Sequence, residues 1–327
     1  MRADTEDLRM TGLSALANAA DLEDLRRQLD PLDFMAGWNK HEPSLWKEPR
    51  TDFKPMVWRW DAAKAGLDAA GRLIDAELAE RRNLFMVNPI EGNHYATLRT
   101  LVSAYQMLLP GEKARTHRHS PNALRLVLDV ADNCYTVVDG VRIDMQPGDV
   151  LLTPGMSWHG HGNDGSAPGY WIDFLDVPLV QLLEPMFLDL WEGLQAATQS
   201  TRDSPYVFSM ASMQAQLAQA APDEHGRSRI QLDAPSMPTT ALFMEKLAGG
   251  KAGARLRSTE NQIFAVVSGA GASEIGEQSL SWSRGDVFVA PGWRSVRHHA
   301  SEDALLFCVS DLPVHQKLGF HRMRVED

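Results

Sequence analysis

Two distant stretches of this chain share one pattern. "QPGDVLLTPGMSWHGHGN" (146–163) matches "SRGDVFVAPGWRSVRHHA" (283–300). Gly148-Asp149 aligns with Gly285-Asp286, Pro154 with Pro291 and His161 with His298. Upstream, "LLPGEKARTHRHSPN" matches "LAGGKAGARLRSTEN", with Asn122 opposite Asn261. Around both copies the chain runs in short apolar stretches broken by Pro, Gly and Asp: "LRTLVSAYQMLL", "ALRLVLDV" and "CYTVVDGVRIDM" in the first, "TALFMEKL", "QIFAVVSG" and "ALLFCVSD" in the second. A repeat demands two copies of one unit. Short strand-like runs at turn spacing make that unit a β-barrel or sandwich.

The remaining segments read differently. Residues 5–30 and 62–82 are rich in Ala, Leu, Glu and Arg at helical spacing, and 38–55 is a Trp- and Pro-bearing coil suited to covering another surface. "PLVQLLEPMFLDLWEGLQAATQ" (178–199) reads as a helical interlude. The expected organisation is an N-terminal helical and coil extension over 1–92, a first barrel over 93–178, a helical linker over 179–236 and a second barrel over 237–327. The fold class is mainly β.

Composition narrows the function. A net charge of −11 without a basic block argues against nucleic acid as a partner. The start, "MRADTEDLRM", has no apolar core of a secretion signal, and no run of 18 apolar residues occurs, so no membrane role is expected. Two lone cysteines, Cys134 and Cys308, fit buried fillers in a reducing cytoplasm.

In a strand, residues two apart share a face. His117 and His119 form one such pair and His159 and His161 another. The frame around them is strict. Five residues separate Gly111 from His117; five separate Gly148 from Pro154, and four more separate Pro154 from His159. These spacings resemble the two motifs of the cupin superfamily, which implies a bicupin fold and a metal held by His117, His119 and His159. Two departures stand out. Met156 occupies the place of a usual glycine, and Ala123 and Leu124 stand where a fourth, glutamate ligand is expected. Three neutral imidazoles leave a divalent ion its full charge and open positions, which favours an anionic, chelating substrate. The second copy carries Leu256, Ser258 and Val296 at the three ligand positions, so that barrel is expected to be metal-free. His298 and His299 are expected at the surface or an interface.

The finer resemblance is to the gentisate/salicylate 1,2-dioxygenases, carried by "YQMLLPGEKARTHRHSPNALRLVLD", "GDVLLTPGMSWHGHGN" and "YWIDFLDVP". It implies a non-haem Fe(II) enzyme that uses O2 to open the ring of an aromatic 2-hydroxy acid, in a homotetramer. Arg125, six residues past His119 and so on the same face of a strand that stays regular, is the first choice for binding a carboxylate or oxygen; its counterpart in the second copy is Phe264. Gln106 is a substrate contact by resemblance. His161 is a candidate acid–base group or substrate donor, and Asp173 a residue that orients His161 or an arginine. Arg82, favoured over Arg81, would bring a cation over the barrel mouth. Val102, where several relatives have an aromatic residue, points to a reshaped pocket and to a 5-substituted salicylate such as 5-nitrosalicylate beside gentisate. A 1-hydroxy-2-naphthoate dioxygenase, a diketone-cleaving oxygenase, an isomerase and a non-catalytic sensor are the alternatives.

Overall fold

The computed structural model describes residues 14, 16–38, 43–75, 82–223 and 227–326. Arg81 and the part of the expected 5–30 helix before residue 14 lie outside them. The chain divides into residues 1–50 and 51–327. In the first unit, helix α1 (Leu22–Leu29) starts at Asp21, whose carboxylate accepts the Asp24 N–H at 2.8 Å, a standard N-cap.

The second unit is the repeat, and it is larger than the sequence pattern suggests. The first copy contains β1 (Met56–Trp58), α2 (Trp60–Leu73), β2 (Arg82–Phe85), β3 (Val102–Leu108), β4 (Lys113–His119), β5 (Ala123–Asp129), β6 (Cys134–Val138), β7 (Val141–Asp144), β8 (Val150–Thr153), β9 (His159–Asn163), β10 (Gly169–Leu175), α3 (Val177–Leu183), β11 (Leu188–Leu190) and β12 (Gln199–Ser200). The second contains β13 (Val207–Phe208), α4 (Met210–Gln219), β14 (Arg227–Leu232), β15 (Ala241–Leu247), β16 (Arg255–Ser258), β17 (Gln262–Ser268), β18 (Ala270–Ile275), β19 (Gln278–Ser283), β20 (Val287–Ala290), β21 (Ser295–Ala300), β22 (Ala304–Ser310), α5 (Leu312–Lys317) and β23 (Met323–Glu326). Apart from β12, each element of one copy has its counterpart in the other.

The copies exchange their leading elements. β1 pairs with β20 of the second barrel, and β13 pairs with β8 of the first. The sheets therefore run β13-β8-β5-β10-β3-β2 and β1-β20-β17-β22-β15-β14. The Gly-Asp motif is the socket for this exchange. Asp286 accepts the N–H of Trp60 at 2.9 Å and pairs with Arg59 at 2.8 Å. Asp149 accepts the N–H of Met210 at 3.0 Å and pairs with Arg202 at 2.8 Å. Each carboxylate thus sits at a helix N-terminus, where an anion is favoured. The glycines have φ of +84° and +85°, and a Cβ would come within 2.8 Å of Met210 at Gly148 and 2.5 Å of Trp60 at Gly285. Both backbone conformation and close approach require glycine there. Met156 and its counterpart Trp293 instead hold φ of 64° and 63° without being glycine.

These two sheets pack back to back. Leu124, Leu126, Ile172 and Phe174 share a core cluster with Ile263, Phe307 and Val309, and Phe174 meets Phe307 edge-on at 5.7 Å. Each such side chain contributes about 2 kcal/mol on burial. Alternation then turns Ala123, Arg125 and Val127 into the first barrel. This two-sided burial is why β5 reads as an almost unbroken apolar run.

The stretch 178–199 departs from expectation. Only Val177–Leu183 is helical; Leu188–Leu190 is a strand paired with His117–His119. The exposed edge of β4 captures this apolar segment, and an ion pair from Arg118 to Asp189 at 2.8 Å accompanies it. β14, placed in the linker by sequence, is an edge strand of the second barrel.

Candidate active site

The first barrel's other sheet, β11-β4-β9-β6-β7-β12, carries the histidines. β4 and β9 are antiparallel, with His117 directly opposite His159, and His119 lies two residues along the same face. The rings gather at centroid separations of 4.3, 4.9 and 5.3 Å, and their ligand atoms all lie within 4.8 Å of one another. Each Nδ1 faces a backbone carbonyl: His117 to Arg115 at 3.2 Å, His119 to Pro121 at 2.8 Å and His159 to Ser157 at 2.9 Å. A carbonyl can only accept, so each Nδ1 carries the proton and each Nε2 the lone pair. That is the tautomer a metal requires. No carboxylate belongs to the cluster among the described residues. Ala123, at a glutamate position, lines the adjoining cavity, and Leu124 points away into the core.

The cavity holds about 240 Å³ and is lined by His119 and His159 on one side and by the facing sheet, β13-β8-β5-β10-β3-β2, on the other. Strand register orders that sheet. One row runs Arg125–Asp173–Ala104–Phe85, from β5 through β10 and β3 to β2; the next runs Val127–Trp171–Gln106–Asn83. Arg125 is 1% exposed. Its Nε donates to Asp173 Oδ1 at 3.2 Å, and its Nη1 donates to Thr136 Oγ1 at 3.0 Å and His161 Nδ1 at 3.2 Å. Burial pulls the guanidinium pKa below its ordinary value, opposed by the Asp173 charge. Asp173 Oδ2 accepts from Trp171 Nε1 at 3.1 Å, which fixes the carboxylate. Gln106 is 1% exposed, and its Nε2 has no hydrogen-bond partner among the described residues.

Arg125, Gln106 and Asp173 therefore meet at one cavity with two of the three histidines. Two expectations need correction. Arg82 does not reach the cavity. Alternation on β2 turns Asn83 toward Gln106 and sends Arg82 to the opposite face, where it forms a bidentate ion pair with Glu112 and donates to Ile74 O at 2.8 Å. Burial would raise the Glu112 carboxyl, but the Arg82 and Leu109 N–H bonds outweigh it and hold its pKa below the ordinary value. His161 is fully buried behind Arg125, 5.5 Å from the Trp171 ring, and is absent from the cavity wall. Because Arg125 can only donate, His161 Nδ1 accepts and Nε2 carries the proton. The sequence reading missed Asn83, Thr136 and the mouth pair Tyr95 and Gln181, whose side chains hydrogen-bond to each other.

The second barrel lacks this centre. Leu256 faces Val296 where His117 faces His159, and Phe264 and Cys308 replace Arg125 and Asp173. His299 is exposed, but His298 is buried, contrary to the surface position expected. It holds His161's place, bonded to Ser273 Oγ at 2.7 Å and edge-on to Phe264 at 4.8 Å. Burial pushes its pKa down to about 4. An unfolded chain binds that proton below about pH 6.5, so stability should fall by roughly 3 kcal/mol as pH drops from 6.5 to 4. Urea midpoints at pH 7 and pH 4.5 check this. The wild type should lose more than His298→Phe; parallel losses would contradict it.

Two jelly-roll barrels, with a carboxylate-free three-histidine centre that among the described residues occurs in the first alone, define a metal-binding bicupin. The Cupin domain model matches residues 104–176. Gentisate 1,2-dioxygenase 1 of Aquipseudomonas alcaligenes is 35% identical, covering 90% of this chain and 94% of that protein. The 5-aminosalicylate 1,2-dioxygenase of a Comamonas species is 32% identical, covering 92% and 90%. The crystal structure of salicylate 1,2-dioxygenase from Pseudaminobacter salicylatoxidans is similar at a TM-score of 0.87 and 27% identity, covering 93% of this chain and 98% of that one. The chain belongs to the gentisate/salicylate 1,2-dioxygenase family and is a ring-cleaving dioxygenase with a three-histidine metal site. No helix among the described residues is long and apolar enough to cross a membrane.

Proposed function

We propose that this chain opens the ring of a 2-hydroxybenzoate between the carboxyl-bearing carbon and its hydroxyl-bearing neighbour. His117, His119 and His159 would hold Fe(II), and gentisate or a 5-substituted salicylate such as 5-nitrosalicylate is the substrate. The observation that carries the reading is one small cavity walled by metal-facing imidazoles and by a buried guanidinium. When bound, Fe(II) supplies open coordination positions where the carboxylate and phenolate of the substrate and O2 are brought together.

The chain's own residues do the rest. Three of Arg125's five N–H groups are committed to Asp173, Thr136 and His161. The two on Nη2 remain for an anion in the cavity, and a fixed guanidinium there stabilises charge in the transition state without reorganising. Asp173 and His161 act as positioning residues, holding that guanidinium in plane. Gln106 gives its Nε2–H to a substrate oxygen. Val102, Ala104, Ala123 and Leu175 form the apolar wall that excludes water from the ring. The chelating pair of oxygens matches a carboxylate-free metal site in charge.

We further propose a homotetramer. Phe187, Leu188, Leu190 and Trp191 around β11, and Phe320, Met323 and Val325 around β23, are exposed apolar residues on edge strands that a neighbour would cover.

The test is oxygen consumption. Anaerobic, Fe(II)-loaded protein mixed with each of a panel of 2-hydroxybenzoates and opened to air should take up one O2 per ring and yield a ring-opened chromophore. No uptake with any of them would defeat the reading. Val102→Trp, assayed alongside, narrows the cavity and should penalise 5-nitrosalicylate more than gentisate.

A further inference from the structure

We propose that the groove between α4 and strands β14, β15 and β22 of the second copy binds a medium-chain fatty carboxylate, whose head group is held by Lys246 and Lys251. The groove lies apart from the first-barrel cavity and is independent of the reaction proposed there.

The repeat supplies the comparison. Helices α2 and α4 start at equivalent points, because Trp60 and Met210 give their N–H groups to Asp286 and Asp149. Counting along them sets Asp68 against Ala218. Strand register sets Met107 against Lys246, Tyr170 against Leu305 and Arg82 against Ser228, and Leu109 falls against Ala248. In the first copy the space beneath the helix is full. Met107 is buried, and a Cβ on Gly71 of α2 would come within 2.8 Å of it. Tyr170 is buried edge-on to Trp60 at 5.6 Å, and its hydroxyl donates to Asp68. Arg82 and Leu109 close the end of the helix. In the second copy each of these side chains is smaller or more polar. The result is a groove of about 650 Å³, a volume typical of small-molecule sites.

Its chemistry has two parts. Leu217, Ala218, Ala220, Ala248, Ala304 and Leu305 give it an apolar lining. Lys246 and Lys251 add two ammonium groups, and Asp303 is the one acid among the lining residues. Asp303 Oδ1 accepts the Gly249 N–H at 2.9 Å. Its Oδ2 stands 3.9 Å from Lys246 Nζ, and both side chains are exposed, so that ion pair is loose and holds little energy. Two cations against one anion leave a positive site on a chain whose net charge is −11. A fitting ligand therefore has a negative head for the lysines and an apolar body for the lining, where burial supplies affinity. The groove is more than twice the volume of the first-barrel cavity, about 240 Å³, and so accepts a longer body than a single-ring acid.

The experiment is calorimetry on the metal-free full chain with decanoate and its uncharged counterpart, decan-1-ol. Decanoate should bind the wild type at least about tenfold more tightly than the alcohol. Two paired variants locate the site. Lys246→Met with Lys251→Ala removes the charge. Ala248→Leu with Leu305→Tyr fills the groove with the side chains that the first copy carries there. Each pair should weaken decanoate at least tenfold, and the lysine pair should leave the affinity for the alcohol in place. Far-UV circular dichroism should match the wild type; where overpacking unfolds the filling pair, the lysine pair alone decides. No decanoate binding by the wild type, binding no tighter than that of the alcohol, or tight binding retained in the lysine pair overturns the proposal.

Discussion

His159→Val should bind less than a tenth of the wild-type metal and lose at least about 10³-fold in kcat/KM, with the fold unchanged. Only three protein ligands are present, and two imidazoles make a poor site for a divalent ion at ordinary metal concentrations. Removing partners one shell further out already costs 10–100-fold in metal affinity in comparable centres, and a direct ligand costs more. The molecule itself supplies the structural control. The second barrel carries Val296 at this position, opposite Leu256 in register, and forms the same strand pair. Metal content by elemental analysis, turnover and far-UV circular dichroism together check the expectation. A variant that retained full metal and activity would remove His159 from the centre.

Arg125→Phe should lower kcat/KM by about 10²–10³-fold and destabilise the chain by about 3–5 kcal/mol. The first effect is loss of the cation beside the substrate's anionic groups. The second arises because Asp173, 7% exposed, loses its guanidinium and among the described residues keeps only the Trp171 indole N–H on its carboxylate. The second barrel again shows the remedy. Where the first has Arg125 opposite Asp173, it has Phe264 opposite Cys308, so the charges are absent together. Arg125→Phe combined with Asp173→Cys should therefore recover most of the lost stability while activity stays low. Urea denaturation of the two single variants and the double variant measures the coupling. A double variant as unstable as the sum of the singles would mean that the pair is not what Asp173 needs.

How much of this the sequence shows depends on the range of the interaction involved. The histidine trio was legible because motif spacing and the two-residue alternation of His117 and His119 are local, and Asp173 was read as a partner for an arginine or His161. Arg125 was found on a premise that fails: His119 closes β4 and Arg125 lies on β5 in the facing sheet, and they meet because both sheets turn these faces into one barrel. Gln106 came from the family resemblance. Arg82 was misassigned by one residue. The face presented by an edge strand depends on its register with β3, and neither neighbouring side chain announces which will face the cavity. The exchange of β1–α2 and β13–α4 between copies was hidden for a related reason. Asp286 looks like a turn residue, and only the folded chain brings Trp60 to its carboxylate, 226 positions away in sequence. The stretch after Leu183 has the apolar content of a helix, yet the open edge of β4 decides its conformation. His298 looked like a surface histidine in a polar run, "RSVRHHA", but alternation turns it inward beneath Phe264.

Chelation at the three-histidine centre is the claim on which the proposed function rests, and anaerobic calorimetry tests it most directly. Fe(II)-loaded and metal-free protein would be titrated with salicylate, benzoate and 4-hydroxybenzoate. Salicylate should bind only the loaded protein tightly, at least tenfold tighter than the two acids that lack the adjacent hydroxyl. Equal binding of salicylate to metal-free protein, or equal binding of 4-hydroxybenzoate to the loaded protein, would contradict it.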